Sequence, residues 1–262
     1  MRNEWLVALI ALAVPTRGIV AQSIDQRVAG VRTGSAELRY AARPGACGDG
    51  NRSFSIGRMM RAGGVEIGDD LGTLSPCLPG PARVRIRLED GTVADVRVAV
   101  GPVPRREPDV IDLGTVPSSA AADYFLRLAE KGTGRVANGA ITAAVLADSA
   151  SVWRQLLAIS KDSSTRSRST RRNALFWVGR FATTRLEGHG DDIAALDDED
   201  HDDPRGAAIF ALSQLRNHQG IDPLVQVALT HREITVRARA LFWLGESGDS
   251  RASALFEAIL RR

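Results

Sequence analysis

The sequence predicts an α+β protein: a small disulfide-tied antiparallel β domain followed by an α-solenoid of two-helix repeats. Three observations carry this. The stretch Ala174-Leu175-Phe176-Trp177-Val178-Gly179 returns as Ala240-Leu241-Phe242-Trp243-Leu244-Gly245, with a looser copy, Ala208-Ile209-Phe210-Ala211-Leu212-Ser213, between them. The copies lie about 34 and about 32 residues apart, the period of helix-pair units that bury their faces by stacking on one another. Further upstream, two apolar-alternating runs meet at Asp90-Gly91, the signature of a β-hairpin. The only two cysteines, Cys47 and Cys77, fall in that β-rich part.

Taken in order, the chain starts with an n-region at Arg2, an apolar run from Trp5 to Val14, the breakers Pro15 and Gly18, and small residues up to Ala21. This is the layout of a cleaved signal peptide over residues 1–21, and the run is too short to span a bilayer. The expectation is an exported protein, periplasmic or extracellular, with no membrane span in the mature chain. In such a compartment an isolated cysteine pair reads as a disulfide, Cys47–Cys77. Closing a loop of about 30 residues would contribute roughly 3–4 kcal/mol by restricting the unfolded chain.

Residues 22–35 are polar and small and read as a flexible lead-in. A β domain over 36–102 follows. Leu38 and Tyr40 alternate with Glu37 and Arg39, and Phe54 and Ile56 with Ser53 and Ser55, each the pattern of a half-buried strand. Val84, Ile86 and Leu88 alternate with Arg83, Arg85 and Arg87. Asp90-Gly91 then turns the chain into Val93, Val96, Val98 and Val100. The arginine stripe reads as a solvated face rather than an anion site, because antiparallel strands commonly keep one polar face.

Residues 103–117 are rich in proline and lack periodicity, which reads as a linker. A helical domain then covers 118–262. Its first helix is capped by Ser118 or Ser119, carries Tyr124, Phe125, Leu126 and Leu128, and stops at Gly132 and Gly134. Ile141, Val145 and Leu146 mark a second helix. Val152, Trp153, Leu156, Leu157 and Ile159 mark a third. The three repeats follow. The first has a helix from about 168 to 181 and a short partner with Ile193 and Leu196. The second opens Asp203-Pro204, a cap followed by proline where an unpaired amide costs nothing, and its partner opens Asp222-Pro223. The third runs through Val236, Ala240, Leu241 and Leu244 and breaks at Gly248. It ends on a helix with Leu255, Phe256, Ile259 and Leu260.

The run from Val236-Arg237 through Ala240-Leu241 and Leu244-Gly245 to the Gly248-Asp249 turn and Leu255 resembles the HEAT repeat. Its form is similar to the short bacterial repeats related to phycobilisome lyases. Asp203-Pro204-Arg205, Ala208 and Leu212 of the second repeat share the pattern, as do Arg172, Ala174 and Gly179 of the first. The resemblance implies a HEAT-like α-solenoid over about 166–262. It also implies a scaffold on which a protein or peptide partner docks. Some members of the family act on bilins as enzymes, but this sequence has no lyase constellation.

No other chemistry emerges from the residues. There is no nucleophile elbow, phosphate loop or zinc-protease spacing among the serines, glycines and four histidines. No catalytic residue and no cofactor is expected, and the chain reads as a non-enzyme. The formal net charge of +3 is small, and no basic block with interleaved aromatics occurs, so nucleic acid is not an expected partner. Residues 189–203 form an acidic loop in which Asp198, Asp200 and Asp202 are the candidates for a metal site, the basis of an alternative reading as a metal-dependent regulator or enzyme. The loop lacks the EF-hand order and reads more simply as solvated charge. The pairs Phe176/Trp177 and Phe242/Trp243 read as core, with interface anchors as the competing reading.

Overall fold

The computed structural model describes residues 22–51, 54–56, 77–102, 107–148, 150–162, 167–188 and 204–261. The expected signal peptide lies outside these residues, as do the acidic loop with Asp198, Asp200 and Asp202 and the short partner helix with Ile193 and Leu196. The described chain opens with α1 (Ile24–Ala29), where a flexible lead-in was expected. A capping box holds it: the Ser23 hydroxyl accepts from the Gln26 amide at 3.2 Å, and the Gln26 side chain accepts from the Ser23 amide at 3.0 Å. Ile24 and Val28 bury one face.

Seven strands follow, β1 (Gly34–Tyr40), β2 (Ala46–Gly48), β3 (Phe54–Ile56), β4 (Leu78–Pro79), β5 (Ala82–Glu89), β6 (Thr92–Val100) and β7 (Val110–Thr115). They make a four-stranded sheet in the order β6-β5-β1-β7 and a three-stranded one in the order β3-β2-β4. The β5–β6 hairpin is the one the sequence predicts, with positive φ at both Asp90 (50°) and Gly91 (77°), as a type I′ turn requires. The Cys47–Cys77 disulfide is present, with Cα atoms 5.0 Å apart, and ties β2 to the start of β4.

Three expectations for this part change. The larger sheet is mixed rather than antiparallel, because β7 runs parallel to β1. Moreover, β7 lies inside the stretch expected to be a linker. Its pairing skips Leu113, so that Leu38 sits opposite Gly114. This irregularity removes the strict two-residue alternation by which a strand is recognised. The arginine stripe also differs from a solvated face. Arg83 is buried, donating to Glu37 at 3.3 Å and to the Gly50 carbonyl, while Arg85 bridges Glu37 and Glu107. Arg39 pairs with Asp112 at 2.7 Å and Arg87 with Glu89 at 2.5 Å. The stripe is therefore solvated at Arg87, as expected, and drawn into partly buried ion pairs at Arg83 and Arg85.

The helices are α2 (Ser118–Lys131), α3 (Gly134–Val145), α4 (Trp153–Lys161), α5 (Arg168–Leu186), α6 (Pro204–Ser213), α7 (Ile221–Thr230), α8 (Ile234–Ser247) and α9 (Ala252–Leu260). Pro117, rather than Ser118 or Ser119, occupies the cap position of α2. The sheet and the helices share one continuous apolar core running from Ile24 to Leu260. Tyr40 of β1 joins them: its hydroxyl donates to the Ala143 carbonyl at 2.6 Å, and its ring lies 6.3 Å from that of Phe125. Arg43 joins them again. Buried, it donates to the carbonyls of Val145 (3.0 Å), the last residue of α3, and Ala150 (2.9 Å), and lies 5.4 Å over the Phe181 ring of α5.

The repeats do not stack in chain order. Helix α5 packs chiefly on α8, α4 and α9, and α6 and α7 pack on α8. The third repeat therefore sits between the first helix of repeat one and the pair of repeat two.

Candidate binding surface

Helix α5 begins where the Ser167 hydroxyl accepts from the Thr170 amide at 3.2 Å. Helix α8 ends at Gly248, whose φ of 65° is the left-handed conformation that stops helices. The two cross where the repeated motif places glycine in both. A Cβ added at Gly179 would lie 3.0 Å from the Gly245 Cα and 3.1 Å from the Phe256 ring. Only the absence of side chains lets these backbones approach so closely. Gly248 abuts the Arg172 side chain, Gly245 the Phe176 backbone, and Phe242 lies under Arg180, 5.6 Å from guanidinium carbon to ring centre. As α5 advances from Arg172 to Arg180, its partners on α8 retreat from Gly248 to Phe242. The two copies of the motif are therefore antiparallel and face each other.

This crossing divides the aromatic residues. Trp177 and Trp153 are buried, as the core reading expects. Phe176, Phe242 and Trp243 are only half-buried, and Phe210, at the matching position of the second repeat, is 47% exposed. Phe242 and Trp243 sit edge to face at 5.0 Å, and Trp243 meets Phe210 of α6, also at 5.0 Å. Phe242 leans toward α5 and Trp243 toward α6, so a band of accessible ring surface crosses α5, α8 and α6. The core reading holds for one member of each aromatic pair at most. Sequence periodicity missed the band because it assumed that every repeat is covered on both sides.

Charge is arranged around the band. Arg180 is 2% exposed with its guanidinium over the Phe242 ring, while Arg168 and Arg172 are exposed on the first turns of α5. Glu246 of α8, one residue past Gly245, is half-buried. Burial pushes its carboxyl above the ordinary value of 4.5, with Arg172 and Arg180 partly opposing that rise.

A second polar cluster joins the turns of repeats two and three. Arg251 pairs with Asp249 and with Asp222, each at 2.9 Å, and His218 Nδ1 lies 3.4 Å from Asp249. The Arg251 hydrogen bonds hold the Asp249 carboxyl below its usual range. The cluster ties two turns together. Among the described residues no group of three or more histidine, cysteine or acidic side chains could hold a metal ion, and no helix is long and apolar enough to cross a membrane.

Against known families, residues 204–230 match the PBS lyase HEAT-like repeat. The match covers α6 and α7, the second repeat, whereas the resemblance read from the residues is strongest in the third. It supports a HEAT-like repeat in this chain. No curated protein and no solved structure matches the chain.

Proposed function

We propose that this protein is a non-enzymatic binding protein whose protein or peptide partner seats on the surface shared by α5, α8 and α6. The observation that carries the reading is the band of partly exposed rings, Phe176, Phe242, Trp243 and Phe210, across α5, α8 and α6. Aromatic and arginine side chains are the residues that most often anchor interfaces. The HEAT-like repeat at 204–230 is consistent with such a role, since helical repeats offer extended docking surfaces. Export to the periplasm or the exterior belongs to the same reading. It rests on the residue pattern of 1–21 and on the Cys47–Cys77 disulfide.

The test is a comparison of capture from envelope extract by the mature chain and by its Phe210→Ser variant, followed by titration of the captured protein after purification. The expected result is one partner that binds the mature chain directly and binds the variant at least about tenfold more weakly. A partner held equally by both forms, or no saturable binding, would remove this surface from consideration.

A further inference from the structure

Of the six large apolar side chains exposed among the described residues, four (Phe210, Leu215, Leu229 and Ile234) fall in the second repeat or the turn that leaves it. The repeat itself explains why. Position by position, α6 and α8 are copies of one helix: Ala208 corresponds to Ala240, Ala211 to Trp243 and Leu215 to Ser247. The two run in the same direction, since Arg205 at the start of α6 pairs with Glu233 before α8, and Phe210 further along meets Trp243. Helix α6 therefore stands against the Trp243 flank of α8, where Ala240 is buried and Trp243 and Ser247 are half-buried. The corresponding flank of α6 is open: Ala208, Ala211 and Leu215 are all exposed, Leu215 to 45%. Among the described residues α6 packs chiefly on α8 and α7, while α5, the helix before it in the chain, packs on α8 instead. The second repeat is thus an end of the helical stack, and it lacks the polar outer face that an end repeat needs to stay single.

From this open stacking flank we infer that the protein pairs with a second copy of itself, α6 against α6 about a two-fold axis. Charge selects the occupant. Helices α6 and α7 hold one charged side chain each, Arg205 and Asp222, and both are already paired within the chain, with Glu233 and with Arg251. A two-fold contact sets a patch against itself, so a patch of one sign would repel its own copy; this one has no unpaired charge on either helix to do so. A partner recognised through ion pairs finds no mate on these helices, whereas contacts between identical chains are depleted in charge at their centre. Size selects the same occupant. Ala208, Ala211 and Leu215 recur at i, i+3 and i+7, one stripe of the helix, small at its start and large at its end. Antiparallel pairing sets Leu215 of each copy over Ala208 of the other, with the two Ala211 methyl groups near the axis, so that ridge meets groove at both ends. Arg216, in the turn after α6, then falls at opposite ends of the contact in the two copies. The pairing goes beyond the binding reading above, which uses the Phe210 and Trp243 rings between α6 and α8, on a different flank of α6.

Sedimentation velocity of the disulfide-intact mature chain, over a roughly hundredfold range of concentration, tests the contact. The expected result is a reversible shift from the mass of one chain to that of two. Ala211→Arg and Leu215→Glu should each weaken the dimer at least about tenfold, while Ile111→Glu, at an exposed apolar position on β7, should leave it unchanged. All three positions are exposed, and circular dichroism verifies that each variant is folded. A dimer that survives both α6 substitutions, one that Ile111→Glu dissociates, or masses beyond two chains place the contact elsewhere and overturn the inference. A single-chain mass throughout overturns it as well, and an Ala211→Cys variant then names the other occupant. If its new thiol resists a water-soluble maleimide, the stripe is covered from within the chain; if it reacts, the stripe is left for a different protein.

Discussion

Replacing Gly179 with alanine should destabilise the protein, whereas the same change at Gly245 should be neutral or stabilising. Both positions are inside helices, so each substitution gains about 1 kcal/mol of helix propensity. They differ in what the new methyl meets. At Gly179 it would lie 3.0 Å from the Gly245 Cα and 3.1 Å from the fully buried Phe256 ring, neither of which yields easily. Overpacking of this kind costs about 1–3 kcal/mol, so Gly179→Ala should lose a net ~1–2 kcal/mol. At Gly245 the nearest atoms are the Phe176 carbonyl oxygen at 3.3 Å and the Gly179 Cα at 3.4 Å, close to ordinary contact, and the propensity gain dominates. The double variant sets two methyls against each other and should lose about 1 kcal/mol more than the sum of the single changes. Urea titration measures all three. With a slope of about 2–3 kcal/mol/M, each kcal/mol moves the midpoint by about 0.3–0.5 M. If Gly179→Ala is as stable as Gly245→Ala and the double variant is additive, α5 and α8 do not cross at these residues and the antiparallel pairing is wrong.

Other consequences can be measured by the same unfolding assay. Arg43→Ala leaves the Val145 and Ala150 carbonyls without their buried donor and should cost about 3 kcal/mol, with Arg43→Lys recovering only part of it. Reducing Cys47–Cys77 should lower stability by about 3–4 kcal/mol, seen as a lower urea midpoint in dithiothreitol. Glu246 has a folded pKa above the ordinary 4.5, so in the window between the two values the native state holds more protons than the unfolded chain, and stability falls as pH rises through it. Glu246→Gln should therefore be more stable than the parent at pH 7 and indistinguishable from it near pH 4; a variant less stable at pH 7 would mean that attraction to Arg172 and Arg180 outweighs burial.

Local structure was legible wherever a short-range rule acts alone. The Asp90-Gly91 hairpin follows from the φ requirement of two adjacent residues, and the Gly248 stop from one. The cysteine pair was legible because only one pairing exists. Strand β7 was not, since its irregular pairing with β1 breaks the alternation, and α1 was not, since six residues are too few to show a helical period. The candidate surface was half legible. Repetition of Ala-Leu-Phe-Trp marked Phe176, Phe242 and Phe210 as equivalent, but their shared position suggested burial.

The sequence by itself therefore determined most of the elements, the disulfide and the presence of a HEAT-like repeat, because capping, turn geometry and hydrophobic period are properties of neighbouring residues. Tertiary structure alone decided which elements meet. Periodicity states that a face must be covered but not by what, so it could not reveal that α5 lies antiparallel on α8, that α2 and α3 pack into one core with the sheet, or that Arg83 is buried against Glu37. The exposure of Phe210 follows from the same order: among the described residues α6 packs chiefly on α8 and α7, and Phe210 stays 47% exposed.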